Sequence, residues 1–232
     1  MQTTEHADTK LVAPLLPQLP KVESPASLPR RTVRLIMVVE GGGDIRALKR
    51  FSRVLHQADP GIPDLKELEQ AGTLLFLPTA GSNLCFWTDR LAGLGISELH
   101  VYDRETPPVF YERQAAAALV NLRPGCRAFV TSKRALENYL DPQAIYEARG
   151  VDVEFGDQDD VPKLVACQIL QRSGGAGWSN LPLRARRRLI ASVKGWLNTE
   201  AASLMTVERL AARDPAGEIR SWMAAITAMT CG

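Results

Sequence analysis

The sequence predicts an α/β fold: a parallel sheet with flanking helices, followed by a helical C-terminal appendage. Three observations carry this. Short apolar strands alternate with amphipathic stretches over residues 31–150, the pattern of a parallel sheet with right-handed crossovers. The first strand, Leu35-Ile-Met-Val-Val39, is apolar throughout, as strands buried on both faces are. From Val151 the pattern changes to an acidic loop and successive helical segments.

The first strand ends in a carboxylate, Glu40, and Gly41-Gly-Gly43 follow as a tight turn. Asp44 opens a helix to about residue 58, with Ile45, Leu48 and Leu55 on one face. A short helix is expected over 64–71. Thr73–Pro78 forms the second strand, and a helix runs from about Leu84 to Leu94 with Gly95 as its cap. Glu98–Asp103 is the third strand and also ends in an acid. A helix over about 110–122, with Ala115, Ala118, Leu119 and Leu122 inward, leads to the fourth strand, Cys126–Thr131. Ser132 caps a short helix that carries Glu137, and Asp141-Pro142 starts another, to about Arg149.

Composition removes several function classes. The 232 residues carry a net charge of +2, so no global field selects a partner. Cys85, Cys126, Cys167 and Cys231 are widely spaced with no Cys-x-x-Cys. That argues against zinc and for reduced thiols in a cytosolic protein. There is no Gly-x-Ser-x-Gly elbow and no His-Glu-x-x-His helix, so triad hydrolysis and zinc proteolysis lack support. No apolar run reaches membrane-spanning length, and no basic segment leads into an apolar core at the N-terminus. A cytoplasmic protein with no membrane partner is expected. Residues 1–30 hold Pro14, Pro17, Pro20, Pro25 and Pro29 and read as a disordered or extended arm.

The acids at strand ends carry the chemistry. The Gly-rich turn fits neither nucleotide loop: Arg46 sits where the dinucleotide fingerprint needs Gly, and no Gly-Lys-Ser/Thr follows. Glu40 would repel a phosphate directly unless a cation lay between them. If the first and third strands are neighbours, Glu40, Asp103 and Glu105 converge at the sheet edge where ligands bind in open α/β folds. In extended geometry Asp103 and Glu105 share a face. Clustered carboxylates without Cys or His suit Mg²⁺ or Mn²⁺ rather than zinc.

Taken together, Val38-Val-Glu-Gly-Gly-Gly-Asp44, Ala80-Gly-Ser-Asn83, Asp103-Arg-Glu105 and Lys133-Arg-Ala-Leu-Glu137-Asn-Tyr139 resemble the Toprim domain of OLD-family (overcoming lysogenization defect) nucleases. The resemblance spans roughly residues 33–148. Glu105 stands where the family has Asp. The resemblance implies one or two Mg²⁺ or Mn²⁺ ions and phosphodiester cleavage in DNA, with RNA as the alternative. It places Glu40, Asp103 and Glu105 on one metal, and Asp44 and Glu137 on the other. Lys133 or Arg134 neutralises the scissile phosphate, and Arg104 is a further nucleic-acid contact. Such nucleases carry an ATPase domain, and no ATPase motif is present here. The resemblance therefore leaves two settings: a protein that works alone, or the effector of a separate ATPase partner in an anti-phage or DNA-processing system. A homo-oligomer is compatible with either.

The resemblance does not reach residues 151–232. Asp152, Glu154, Asp157, Asp159 and Asp160 read as a solvated acidic linker. Helices are expected over 161–172, 181–199, 203–213 and 215–228, the last capped by Asp214 with Pro215 at its first position. Arg184, Arg186, Arg187, Arg188 and Lys194 form a basic helical face that either contacts phosphates or answers the acidic loop. Two other readings remain open: a non-catalytic nucleic-acid- or partner-binding module on a decayed Toprim fold, and a primase-like phosphotransfer enzyme.

Overall fold

The computed structural model describes residues 32–79, 87, 90–174 and 177–231. The predicted Pro-rich arm, the Ala80–Asn83 motif and residues 84–86 and 88–89 of the helix expected over 84–94 lie outside them. Strands β1 (Leu35–Val39), β2 (Leu74–Pro78), β3 (Ser97–Tyr102) and β4 (Cys126–Val130) form a sheet ordered β2-β1-β3-β4, with every pair parallel. Every residue of β1 is buried, because it lies between two strands and both its faces are covered. Leu35, Met37 and Val39 enter the main core, while Ile36 and Val38 pack with Leu91 on the other face.

Val38 pairs with His100, so the ends of β1 and β3 are adjacent and Glu40 and Asp103 leave the sheet side by side. Helix α1 (Gly42–Ala58) follows β1, and α2 (Leu65–Gln70) is capped by the Asp64 side chain. Helix α3 (Val109–Asn121) covers β3 and β4. Its inner face differs from the expected one. Arg113, Ala116, Ala117 and Val120 are buried, while Ala115, Ala118, Leu119 and Leu122 face solvent. Helical spacing holds once Arg113 is counted inward, where Glu40 neutralises it.

A 3₁₀ turn (Leu136–Tyr139) and α4 (Pro142–Arg149, capped by Asp141) follow β4. Ser132 caps neither. Its amide and hydroxyl donate to Glu218, on α8 (Glu218–Cys231). Helix α5 (Val161–Arg172) starts at a side-chain cap from Asp160. Helix α6 (Leu183–Trp196) runs into a π turn (Leu197–Ala201), and α7 (Val207–Arg213) follows. Asp214 accepts the amides of Glu218 and Ile219, so α8 begins three residues later than expected and Pro215 lies in the preceding turn.

The acids of the 152–160 loop are largely exposed, and the loop is also tied down by specific contacts. Asp157 pairs with Lys133, its carbonyl accepts the Arg134 amide, and Asp160 lies 3.4 Å from Arg134. The acids fix the 132–138 segment and do not answer the basic face of α6. Residues beyond Arg30 form one compact unit, and β1, α1 and side chains from α4 to α8 share one hydrophobic cluster. Among the described residues no helix is long and apolar enough to cross a membrane.

Candidate active site

Glu40 leaves β1 into a turn that α1 immediately follows. Gly41 is the N-cap, and Asp44, one turn into the helix, accepts the Gly41 amide at 2.7 Å. Asp44 therefore stabilises the turn from inside the helix, and a carboxylate there also suits the positive end of the helix dipole. Asp103 follows β3 directly and accepts the Leu136 amide at 3.1 Å. Glu105 reaches the same region through a turn, not through extended alternation. Its φ is 54°, a left-handed conformation costing an L-residue about 1–2 kcal/mol. Its amide donates to the Arg134 carbonyl at 2.9 Å. Glu137, 1% exposed, sits on the 3₁₀ turn.

These five acids line one cavity of about 350 Å³. Its remaining wall includes Arg46 of α1 together with Ala191, Lys194, Gly195 and Asn198 of α6 and the π turn. Asn198 donates to Glu137 Oε1 at 2.9 Å, and Lys194 Nζ lies 3.6 Å from the same oxygen. Arg113 forks onto Glu40, with Nε 2.9 Å from Oε1 and the second arm donating to Oε2 at 3.1 Å. The sequence reading missed Arg113 and Asn198 and assigned Lys194 only to a basic face. The available signal was the spacing of Lys194 and Asn198, one helical turn apart in a segment otherwise free of acids up to Glu200.

Glu40, Asp44 and Asp103 hold protons unusually tightly. Burial pushes Glu40 up to about 7, with Asp44 and Glu105 adding to the shift and Arg113 and Lys194 opposing it. Burial, reinforced by Glu137, pushes Asp44 up to about 6, against the Gly41 amide and Lys194. Asp103 lies well above the usual carboxylate range through burial and its neighbours Asp44, Glu137 and Glu40. Lys194 shows the complementary effect. Burial disfavours its charge, but Glu137, Asp103, Asp44 and Glu105 outweigh burial and hold the ammonium protonated.

The donor set suits a hard divalent cation, being oxygen-only. Glu137 Oε2 and Asn198 Oδ1 are buried without hydrogen-bond partners, as atoms are when a ligand satisfies them. Among the described residues, no three acidic, His or Cys side chains are arranged to hold an ion as they stand. Binding would require rotation of these side chains onto a common point.

The structure does not bring every predicted contact to the cavity. Lys133 is buried, paired with Asp157 and 5.5 Å from the Tyr139 ring centre. Arg134 lies between Asp160 and Glu105, 3.7 Å from the latter. Arg104 stacks on Phe110 at 4.2 Å. Arg186 donates to the carbonyls of Leu181 and Ser179, so it serves the fold. Arg184, Arg187 and Arg188 are exposed and share a helical face with Ala191 and Lys194, which leads to the cavity.

No family model matches the chain, and no curated protein matches it. Solved structures do. The C-terminal region of the Burkholderia pseudomallei OLD protein is 16% identical, with 86% of this chain and 99% of that one covered and a TM-score of 0.53. The iodine-phased C-terminal region of the Xanthomonas campestris pv. campestris OLD protein is 16% identical, covering 86% and 96%, with a TM-score of 0.48. The likeness to the Burkholderia structure shows a shared fold over most of the described chain. The fold is Toprim-like, as the motifs implied.

Proposed function

We propose that this chain is a Mg²⁺- or Mn²⁺-dependent endonuclease of the Toprim/OLD type that hydrolyses phosphodiester bonds in DNA, or alternatively RNA. One observation carries the reading: five carboxylates from strand ends, turns and the first turn of α1 converge on one cavity that Lys194 also lines. A bound divalent ion would supply a Lewis acid and lower the pKa of a coordinated water. Glu40, Asp103 and Glu105 would hold one ion, and Asp44 and Glu137 a second. Arg113 fixes the Glu40 carboxylate by its two-pronged contact. Asn198 engages one oxygen of Glu137 and leaves the other free. Lys194 neutralises part of the acidic charge and can meet the substrate phosphate, the role the sequence reading gave to Lys133. The wider setting implied by the resemblance, a cytoplasmic effector working with a separate ATPase in anti-phage defence, belongs to this proposal.

Nicking of supercoiled plasmid in Mn²⁺ or Mg²⁺ against EDTA tests the reading. Asp103→Asn and Lys194→Met are expected to lower the rate on the order of 10²–10³-fold while plasmid binding persists. Undiminished nicking by both Asp103→Asn and Glu40→Gln would overturn it. Salt-sensitive DNA binding without turnover under any divalent ion would select the binding-module reading instead.

A further inference from the structure

Arg46 lines the carboxylate cavity and also a second one beside it, of about 200 Å³. The second cavity is lined by Arg46, Lys49, Arg50, Arg53, Lys66 and Thr199, five cations and no acid. Arg46, Arg50 and Arg53 fall on one face of α1, within a third of the helix circumference. Lys49 is already committed, its ammonium 2.5 Å from Glu69. Arg46, Arg50, Arg53 and Lys66 are exposed and form no ion pair with another described residue. On a chain of net charge +2, this is a local separation of charge. A cavity suited to cations opens directly onto a row of cations that form no ion pair with another described residue.

We infer that this row is a phosphate track, along which a nucleic-acid strand runs from the carboxylate cavity over α1 towards α2. The inference rests on the nuclease reading for its substrate class, and its geometry stands on the shared Arg46. A polyanion approaching the acids alone would be repelled; the guanidinium row offsets that repulsion and sets the direction of approach. Arg46 to Arg53 spans about 10 Å of helix, enough for the row to face about two successive phosphates of one strand. Guanidinium groups contact phosphate without reading bases, so the track predicts affinity and register and no sequence preference.

Arg50→Gln/Arg53→Gln tests it, since both positions lie outside the carboxylate cavity. Binding of a labelled duplex is measured in EDTA across a salt series, and plasmid nicking in Mn²⁺ is measured beside it. The double variant is expected to bind at least 10-fold more weakly at low salt. Its slope of log K against log salt should be shallower by about 1.8, and Arg50→Lys/Arg53→Lys should restore both. Superimposable binding curves for wild type and the Gln variant, or no duplex binding by the wild type, would overturn the track. If the wild type does not nick but the slope changes as described, the nuclease reading fails and the track stands. If the wild type nicks and the Gln variant matches it in binding and rate, the track fails and the nuclease reading stands.

Discussion

A Cβ placed on Gly43 would lie 2.8 Å from Asn198 Nδ2. That approach holds the start of α1 against the π turn and keeps Asn198 on Glu137. In an ordinary helix Gly→Ala stabilises by about 1 kcal/mol. Here the new methyl displaces a hydrogen bond to a charged group, worth roughly 1.5–3 kcal/mol. Gly43→Ala is therefore expected to destabilise by about 1 kcal/mol in urea unfolding. In an Asn198→Ala background it should become neutral or stabilising; simple additivity of the two changes would contradict the coupling. The contrast with Glu40 shows what was legible at this scale. Glu40 and Asp103 stood out because each ends an apolar run, where a bare carboxylate demands a partner. Arg113 was hidden because helical periodicity assigns a charge to the outside. Asn198 was hidden because its partner, Glu137, is far away in sequence.

At the scale of the element, β3 carries an unusual inner face. Glu98, His100 and Tyr102 alternate on the strand and are all buried. His100 Nε2 lies 2.8 Å from Glu98 and Nδ1 lies 2.6 Å from the Tyr102 hydroxyl, while Arg123 forks onto Glu98 from the end of α3. Such alternation normally marks a solvated face; here Arg123 and α3 supply partners and cover. Burial lowers the His100 proton affinity below its ordinary value, outweighing the raising effect of Glu98. For Glu98, burial pushes upward, but the hydrogen bonds from His100 and Arg123 win and hold it below its ordinary value. Both shifts have one sign for stability. At these two groups the unfolded chain binds more protons than the fold, first below the ordinary His value of 6.5 and then below the ordinary Glu value of 4.5. Their contribution to stability therefore falls as pH falls, opposite in sign to that of the raised acids Glu40, Asp44 and Asp103. Relative to wild type, His100→Gln should lose less stability, or gain more, on descending through 6.5, because the His100 contribution is gone and the acids are unchanged. Parallel pH profiles for the two proteins would refute this.

For the whole molecule, the composition shift at residue 151 is visible in the sequence but marks no break in the core. Amphipathic periodicity shows that α5 to α8 each bury a face; it does not show which surface they cover. They cover the sheet and α1. Val193, Leu197, Trp222, Met223 and Ile226 are all buried in that shared cluster. At ~1.5–3 kcal/mol for each such side chain, their loss is on the order of 10 kcal/mol, comparable to the net stability of a typical domain. Residues 31–150 expressed alone are expected to show no cooperative thermal transition. A sharp melt of that fragment by circular dichroism would show that the α/β half carries its own core. By contrast, the four parallel strands and their neighbouring acids were readable, because buried strands announce themselves over five residues and need no distant partner.

The linear order of the cavity wall matters during synthesis. A ribosome makes Glu40, Asp103, Glu105 and Glu137 well before Lys194 and Asn198. A half-finished chain thus presents mutually repelling acids without the ammonium and amide that face them in the finished fold. While the chain is still tethered beside messenger RNA, the cavity has no α6 wall until residues 183–198 have emerged.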